Sequence, residues 1–117
     1  MKKTLEELFA EHQDFAKGKF PESTYDSSLR GLEREIKEVE AARMDYYVID
    51  GSENRKLLGL EYVDCFMYLL DSMNRVGFKA DELSELFEAK LKINKEREWK
   101  KNKDGSIKGG DYIDYEE

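Results

Sequence analysis

Two acidic pairs, Glu35/Glu38 and Glu61/Asp64, stand at i, i+3 spacing in stretches that read as helix. That spacing puts both carboxylates of a pair on one side of a helix, about one turn apart. If two such helices run antiparallel and face each other, four carboxylates surround one small volume. Hard Mg²⁺ takes oxygen ligands and keeps several waters, which leaves positions for phosphate oxygens. Zinc does not compete: one His and one Cys cannot build a zinc site within one chain.

An ExxE pair is common on a solvated helix face, so the surroundings decide. From Leu57 to Leu70 the charged side chains are Glu61 and Asp64. On a helix advancing about 100° per residue, the apolar neighbours from Leu57 to Leu70 surround the whole circumference. Glu61 and Asp64 are therefore expected on a buried or half-buried side, with Tyr68 on the same stripe. Ionised carboxylates placed there need cations or strong donors. Asp71 continues the stripe and either joins the pair or reaches solvent near the helix end. Glu35 falls beside Leu32, Val39 and Ala42, inside an apolar arc, while Glu33, Arg34, Lys37 and Glu40 form the outer face. Glu38 lies at the edge of that arc, where Gly31 and Ala42 are expected to leave space for a ligand. The competing reading of Glu35/Glu38 is a local ion pair with Arg34 or Arg43.

The complementary charge lies near the C-terminus. Lys90, Asn94 and Arg97 recur at i, i+4, i+7 and continue the stripe of Leu83, Leu86 and Phe87. Arg forks onto phosphate oxygens, Lys acts as a point charge, and Asn hydrogen-bonds a sugar, base or phosphate. The alternative is a protein-internal network with the same acidic residues.

Four helices are expected to carry these groups. Leu5, Leu8, Phe9, His12 and Phe15 mark the first, over about Lys3–Lys17. Gly18–Thr24 breaks it, with Pro21 forcing an extended residue before it, and Ser23 or Thr24 caps the second. The second spans about Tyr25–Tyr46, and Asp50-Gly51-Ser52 marks a loop. The third spans about Glu53–Arg75 and ends at Gly77 as C-cap. The fourth opens at Ala80 or Asp81 and reaches about Lys101, with Leu83, Leu86, Phe87 and Leu91 inward. The reading is all-α: an antiparallel four-helix bundle with short connections, oligomeric, over residues 1–101. Residues 102–117 are expected to be a flexible or docking tail.

A chain of 117 residues suits one domain and buries a limited core, so assembly would help it. Its net charge of −7 gives no counterion-release affinity for a nucleic-acid backbone, so nucleic acid is not expected as a partner. No membrane span and no secretory signal is read, which makes the cytoplasm the default. Cys65 sits in an apolar run and reads as a buried free thiol. His12 reads as structural or exposed.

Leu32-Glu-Arg-Glu35-Ile-Lys-Glu38-Val-Glu-Ala-Ala42, with Glu61-Tyr-Val-Asp64 following 22 residues after Glu38, resembles the ExxE…ExxD pattern of the MazG-like all-α nucleoside triphosphate pyrophosphohydrolases. Lys90-Leu-Lys-Ile-Asn94-Lys-Glu-Arg97-Glu-Trp99 is similar to the KxxxN segment that follows it there. Phe15-Ala-Lys-Gly-Lys-Phe20-Pro21 resembles the entry of a small branch described as dATP/dGTP diphosphohydrolase-like. Arg34 departs from the pattern, where many members carry a further acidic residue. The resemblance implies a four-helix core working as a homodimer or homotetramer. It implies Mg²⁺, with Mn²⁺ able to substitute, and cleavage of a (deoxy)nucleoside triphosphate to the monophosphate and pyrophosphate in nucleotide-pool control. Under it, Glu35, Glu38, Glu61 and Asp64 are catalytic and hold the metal, and Lys90, Asn94 and Arg97 bind substrate. Stacking on the base falls to Phe20, Tyr25, Tyr47 or Trp99, the competing reading being that these aromatics, at helical spacing, belong to the core. Two alternatives stay open: a hydrolase of another pyrophosphate, such as a phosphoribosyl-ATP-like or signalling nucleotide, and a non-enzymatic helical interaction module.

Overall fold

The computed structural model describes residues 2–48 and 52–97, and among these it is helical, without strands. The helices are α1 (Leu5–Lys19), α2 (Tyr25–Val48), α3 (Ser52–Val76) and α4 (Ala80–Glu96). Each start has a local chemical reason. Thr4 accepts a hydrogen bond from the Glu7 backbone N–H while Glu7 accepts one from that of Thr4, a reciprocal capping box. Thr24 and Ser27 repeat the device at α2: Ser27 N–H donates to Thr24 Oγ1 at 3.1 Å, and Thr24 N–H donates to Ser27 Oγ at 2.8 Å. At α4, the Lys79 N–H donates to Glu82.

The stops are as local. α1 runs through Gly18 and ends at Phe20, before Pro21, rather than at the glycine. At the end of α3, Gly77 takes φ 121°, a left-handed conformation that glycine adopts without strain. The N–H groups of Gly77 and Phe78 both reach Met73 O at 3.1 Å, closing the last turn.

Met1–Ser84 form one compact unit, and a second begins at Glu85. In the first, α2 and α3 are the principal packed pair, and α1 lies on α3. Ser28 meets Asp71, Gly31 meets Tyr68, and Glu35 joins Glu61 and Asp64, so α2 and α3 run antiparallel. Their approach depends on Gly31: a Cβ built there would lie 2.2 Å from Cε1 of Tyr68. The ring of Tyr68 fills that space, so Gly31 serves helix packing and leaves no room for a ligand.

The fully apolar core is small. Ala16 and Val39 are its buried hydrophobic members among the described residues. The outer side of α3 instead exposes Tyr62, Val63, Phe66 and Leu69. On α4, Leu83 is half-buried, but Leu86, Phe87 and Leu91, expected inward, are exposed.

The bounds of the expected domain at residue 101 and the tail over 102–117 fall outside the described residues, as do Trp99 and the side chain of Tyr47. No described helix is long and apolar enough to cross a membrane.

A candidate metal and nucleotide site between two antiparallel helices

Glu35 projects from the middle of α2 and Glu61 and Asp64 from the middle of α3. One carboxylate oxygen from each lies within 4.8 Å of the others. The register explains this: Ser28–Asp71 and Gly31–Tyr68 align the helices, and one turn further along α2 brings Glu35 opposite the Glu61/Asp64 turn. Glu35 and Glu61 are half-buried and Asp64 is exposed. Glu38, one turn beyond Glu35, is exposed and supplies no atom to this group, though its charge is felt at Glu35. The expected four-carboxylate ring is, in this structure, a group of three with Glu38 at its margin.

Partial loss of hydration raises the Glu35 carboxyl above its ordinary value, and the charges of Asp64, Glu61 and Glu38 and a hydrogen bond with Glu61 push the same way. Burial raises the Cys65 thiol, reinforced by Glu35, Asp64 and Glu61. Three carboxylates this close repel one another and favour whatever cation enters between them. Their oxygens are hard donors suited to Mg²⁺ or Mn²⁺, and no described His or Cys joins the group to shift that preference.

Asp71 neither joins the acidic group nor reaches solvent. It is 8% exposed, accepts from Ser28 Oγ at 2.5 Å and pairs with Arg75 Nε at 3.1 Å. Arg75 then donates from Nη2 to Ala16 O at 3.1 Å and Phe20 O at 2.9 Å. This arginine satisfies the last carbonyls of α1 and ties the α1–α2 turn to α3. It was missed in the sequence because Arg75, four residues after Asp71 at a helix end, looks like any surface pair.

Beside the acidic group opens a pocket of about 640 Å³, which Asp64 shares. Its walls include His12, Phe15, Ala16 and Phe20 from α1 and its end, Ser27, Ser28 and Arg34 from α2, and Met67, Tyr68 and Asp71 from α3. Phe15 and Phe20 meet edge to face, centroids 6.0 Å apart, and His12 lies 6.5 Å from Phe15. His12 is half-buried, and its Nδ1 has no hydrogen-bond partner. Burial lowers its pKa, and the charge of Asp71 partly offsets this. The pocket's volume matches the usual size of a small-molecule site. Of the aromatic residues expected to stack, Phe20 lines it and Tyr25 does not.

The basic row is described within the second unit. Lys90 is exposed, and Asn94 and Arg97 are half-buried. α4 stops at Glu96, so Arg97 lies just past the helix end, its N–H 3.4 Å from Asn94 O.

No curated protein and no solved structure matches the chain. A family model described as dATP/dGTP pyrophosphohydrolase matches residues 8–110, which includes every helix from Leu8 of α1 onward and both acidic pairs. The chain therefore belongs to the dATP/dGTP pyrophosphohydrolase family, within the MazG-like all-α superfamily.

Proposed function

We propose that this protein hydrolyses purine deoxynucleoside triphosphates, dATP and dGTP, to the monophosphate and pyrophosphate, and so acts on the nucleotide pool. The single observation that carries the reading is the meeting of Glu35, Glu61 and Asp64 across α2 and α3, in a chain of a pyrophosphohydrolase family. These three residues would hold Mg²⁺, or Mn²⁺ in its place, and Glu38, whose charge acts on Glu35, would complete the set. A bound divalent ion supplies neutralisation of triphosphate charge and orientation of its oxygens.

The remaining work falls to the chain. A water beside the acidic group attacks the α-phosphorus, and a carboxylate accepts its proton. The bond from that phosphorus to the bridging oxygen breaks, and pyrophosphate leaves. Lys90 and Arg97 take phosphate oxygens, and Asn94 positions the nucleotide. The domain is residues 1–101, folded as an antiparallel four-helix bundle and working as a homodimer or homotetramer. The apolar surface left exposed on α3 and α4 supports assembly.

The test is a release assay over the eight common NTPs and dNTPs with Mg²⁺, identifying both products. Monophosphate plus pyrophosphate from dATP and dGTP is expected. Glu61→Gln should lower turnover by about 10²-fold or more, on the scale of removing a charged group from the transition-state environment, with helical circular dichroism unchanged. Full activity in that variant sinks the metal assignment.

A further inference from the structure

Several polar side chains of the pocket beside Asp64 bond one another. Ser28 gives its hydroxyl proton to Asp71, and Asp71 receives Arg75 at both carboxylate oxygens, at 3.1 and 3.3 Å. Ser23 and Ser27 share a hydrogen bond of 2.9 Å. His12 differs. Among the described lining residues, its Nδ1 is the buried side-chain nitrogen or oxygen without a hydrogen-bond partner. Burial holds the imidazole below its ordinary value, with Asp71 opposing, so the ring is neutral near pH 7. A neutral imidazole carries one N–H and one bare nitrogen. The tautomer protonated at Nε2, which free imidazoles favour, leaves Nδ1 as an acceptor. A buried acceptor with no donor is a cost that the free protein bears and that a suitable ligand removes. His12 is half-buried, so its ring has a shielded edge and an open one. A half-turn about the Cβ–Cγ bond brings Nδ1 to the open edge and breaks no hydrogen bond, since Nδ1 has none to lose.

We propose that, with substrate in this pocket, His12 turns Nδ1 toward the nucleobase and accepts a hydrogen bond from one of its N–H groups, which makes His12 a specificity-determining residue. The proposal rests on the nucleotide hydrolysis proposed above and deepens it. Position selects the base rather than the sugar. Asp64 belongs to both the pocket and the acidic group, and under that function it marks where the phosphates lie. Asp71, whose charge acts on His12, follows Asp64 by seven residues, about 10 Å along α3. The sugar is joined to the α-phosphate and the base lies beyond it, so the group that reaches His12 is the base. A base with an N–H there pairs Nδ1. A base without one leaves it buried and unpaired, and is disfavoured for that reason. The requirement is for a donor, not for ring size: it separates two purines whose rings are alike and whose edges differ.

The experiment measures kcat and KM, with Mg²⁺, for three substrates: dATP, 2′,3′-dideoxy-ATP, and the triphosphate of unsubstituted purine 2′-deoxyriboside, which has the same two rings and no N–H. The full-length wild type is compared with His12→Phe and His12→Asn. The wild type should use dATP about tenfold better in kcat/KM than the unsubstituted purine, the scale of one lost hydrogen bond to a buried partner. His12→Phe keeps a ring without nitrogen. It should lose about tenfold on dATP, mostly in KM, and little on the unsubstituted purine, so that the two substrates become equal. His12→Asn sets its amide oxygen where Nδ1 stood and should keep the preference. Dideoxy-ATP should follow dATP in all three proteins. Equal use of dATP and the unsubstituted purine by an active wild type overturns the proposal and leaves the proposed function standing. So does a His12→Phe variant that loses the same factor on both, the mark of a purely structural role. A loss on dideoxy-ATP that vanishes in His12→Phe moves the bond to the sugar and overturns the base assignment. A wild type inactive on dATP overturns the proposed function and this inference with it.

Discussion

The two sides of α3 invert the usual arrangement of a helix in a small protein. The side turned to α2 carries Glu61, Asp64, Asp71 and Arg75; the side turned away exposes Tyr62, Val63, Phe66 and Leu69. A helix serving only its own protomer would put the apolar residues inward. Here the inner side is given to charge: one end satisfied as Ser28–Asp71–Arg75, the other left as three crowded carboxylates. The difference teaches that one helix turns its charge toward its neighbour and leaves apolar surface on the opposite side. The charged side holds the register and the candidate site. The apolar side holds surface that gains free energy only when something covers it.

Breaking the apolar side should have the larger effect. Phe66 is 58% exposed and lies at the centre of that side. Covering a residue of this size is worth about 1.5–3 kcal/mol, and a copy of the chain buries it twice in a two-fold contact. Phe66→Asp should therefore shift the protein to monomer in sedimentation analysis and lower its melting temperature. If the variant sediments and melts like the wild type, Phe66 is not covered in solution.

Sharpening the charged side gives the next effect, with the opposite sign. Glu35 is held among like charges, so the metal-free protein carries a repulsion that a neutral side chain would relieve. Glu35→Gln should raise the melting temperature without metal by a few degrees, about what 0.5–1 kcal/mol produces in a domain this size. Mg²⁺ should stabilise the wild type and not the variant. A variant less stable than the wild type in EDTA would mean that Glu35 is held by donors rather than crowded by acids.

The same contrast decides how much was legible in the sequence. Helix limits were readable because their signals are local: Thr24 caps α2 and Gly77 ends α3 as expected. The isolation of Glu61 and Asp64 among apolar residues was readable too, but its cause was misjudged. Apolar residues around the circumference of α3 imply burial on all sides only if one chain supplies all the covering surface, and the described residues leave Tyr62, Val63, Phe66 and Leu69 exposed. Asp71 was misplaced because Ser28 reaches it through three-dimensional register, while its i+4 pair with Arg75 reads as an ordinary surface pair. The pocket was largely invisible. Phe15 and Phe20 flank the end of α1, and what makes them a wall is a bond from Arg75, 55 residues away, to the Phe20 carbonyl.

The smallest effect concerns the end of the charged side nearest α1. His12 is half-buried against it, its Nδ1 has no partner, and burial holds its pKa below the ordinary 6.5. Asp71 on α3 opposes that shift. Asp64, Arg34, Lys19 and Glu22 line the same pocket. The sign follows from linkage. Between the lowered folded value and 6.5 the unfolded chain binds the proton and the folded chain does not, so stability is intact above 6.5 and is lost as the pH falls below it. His12→Gln removes this term and leaves the carboxylate contributions in place. The fall in melting temperature between pH 7.5 and 5.5 should therefore be smaller in the variant, by about a degree or two for a partly exposed group. A larger fall in the variant would mean that protonated His12 is stabilised by Asp71, so that attraction, not burial, governs where α1 meets the charged side of α3.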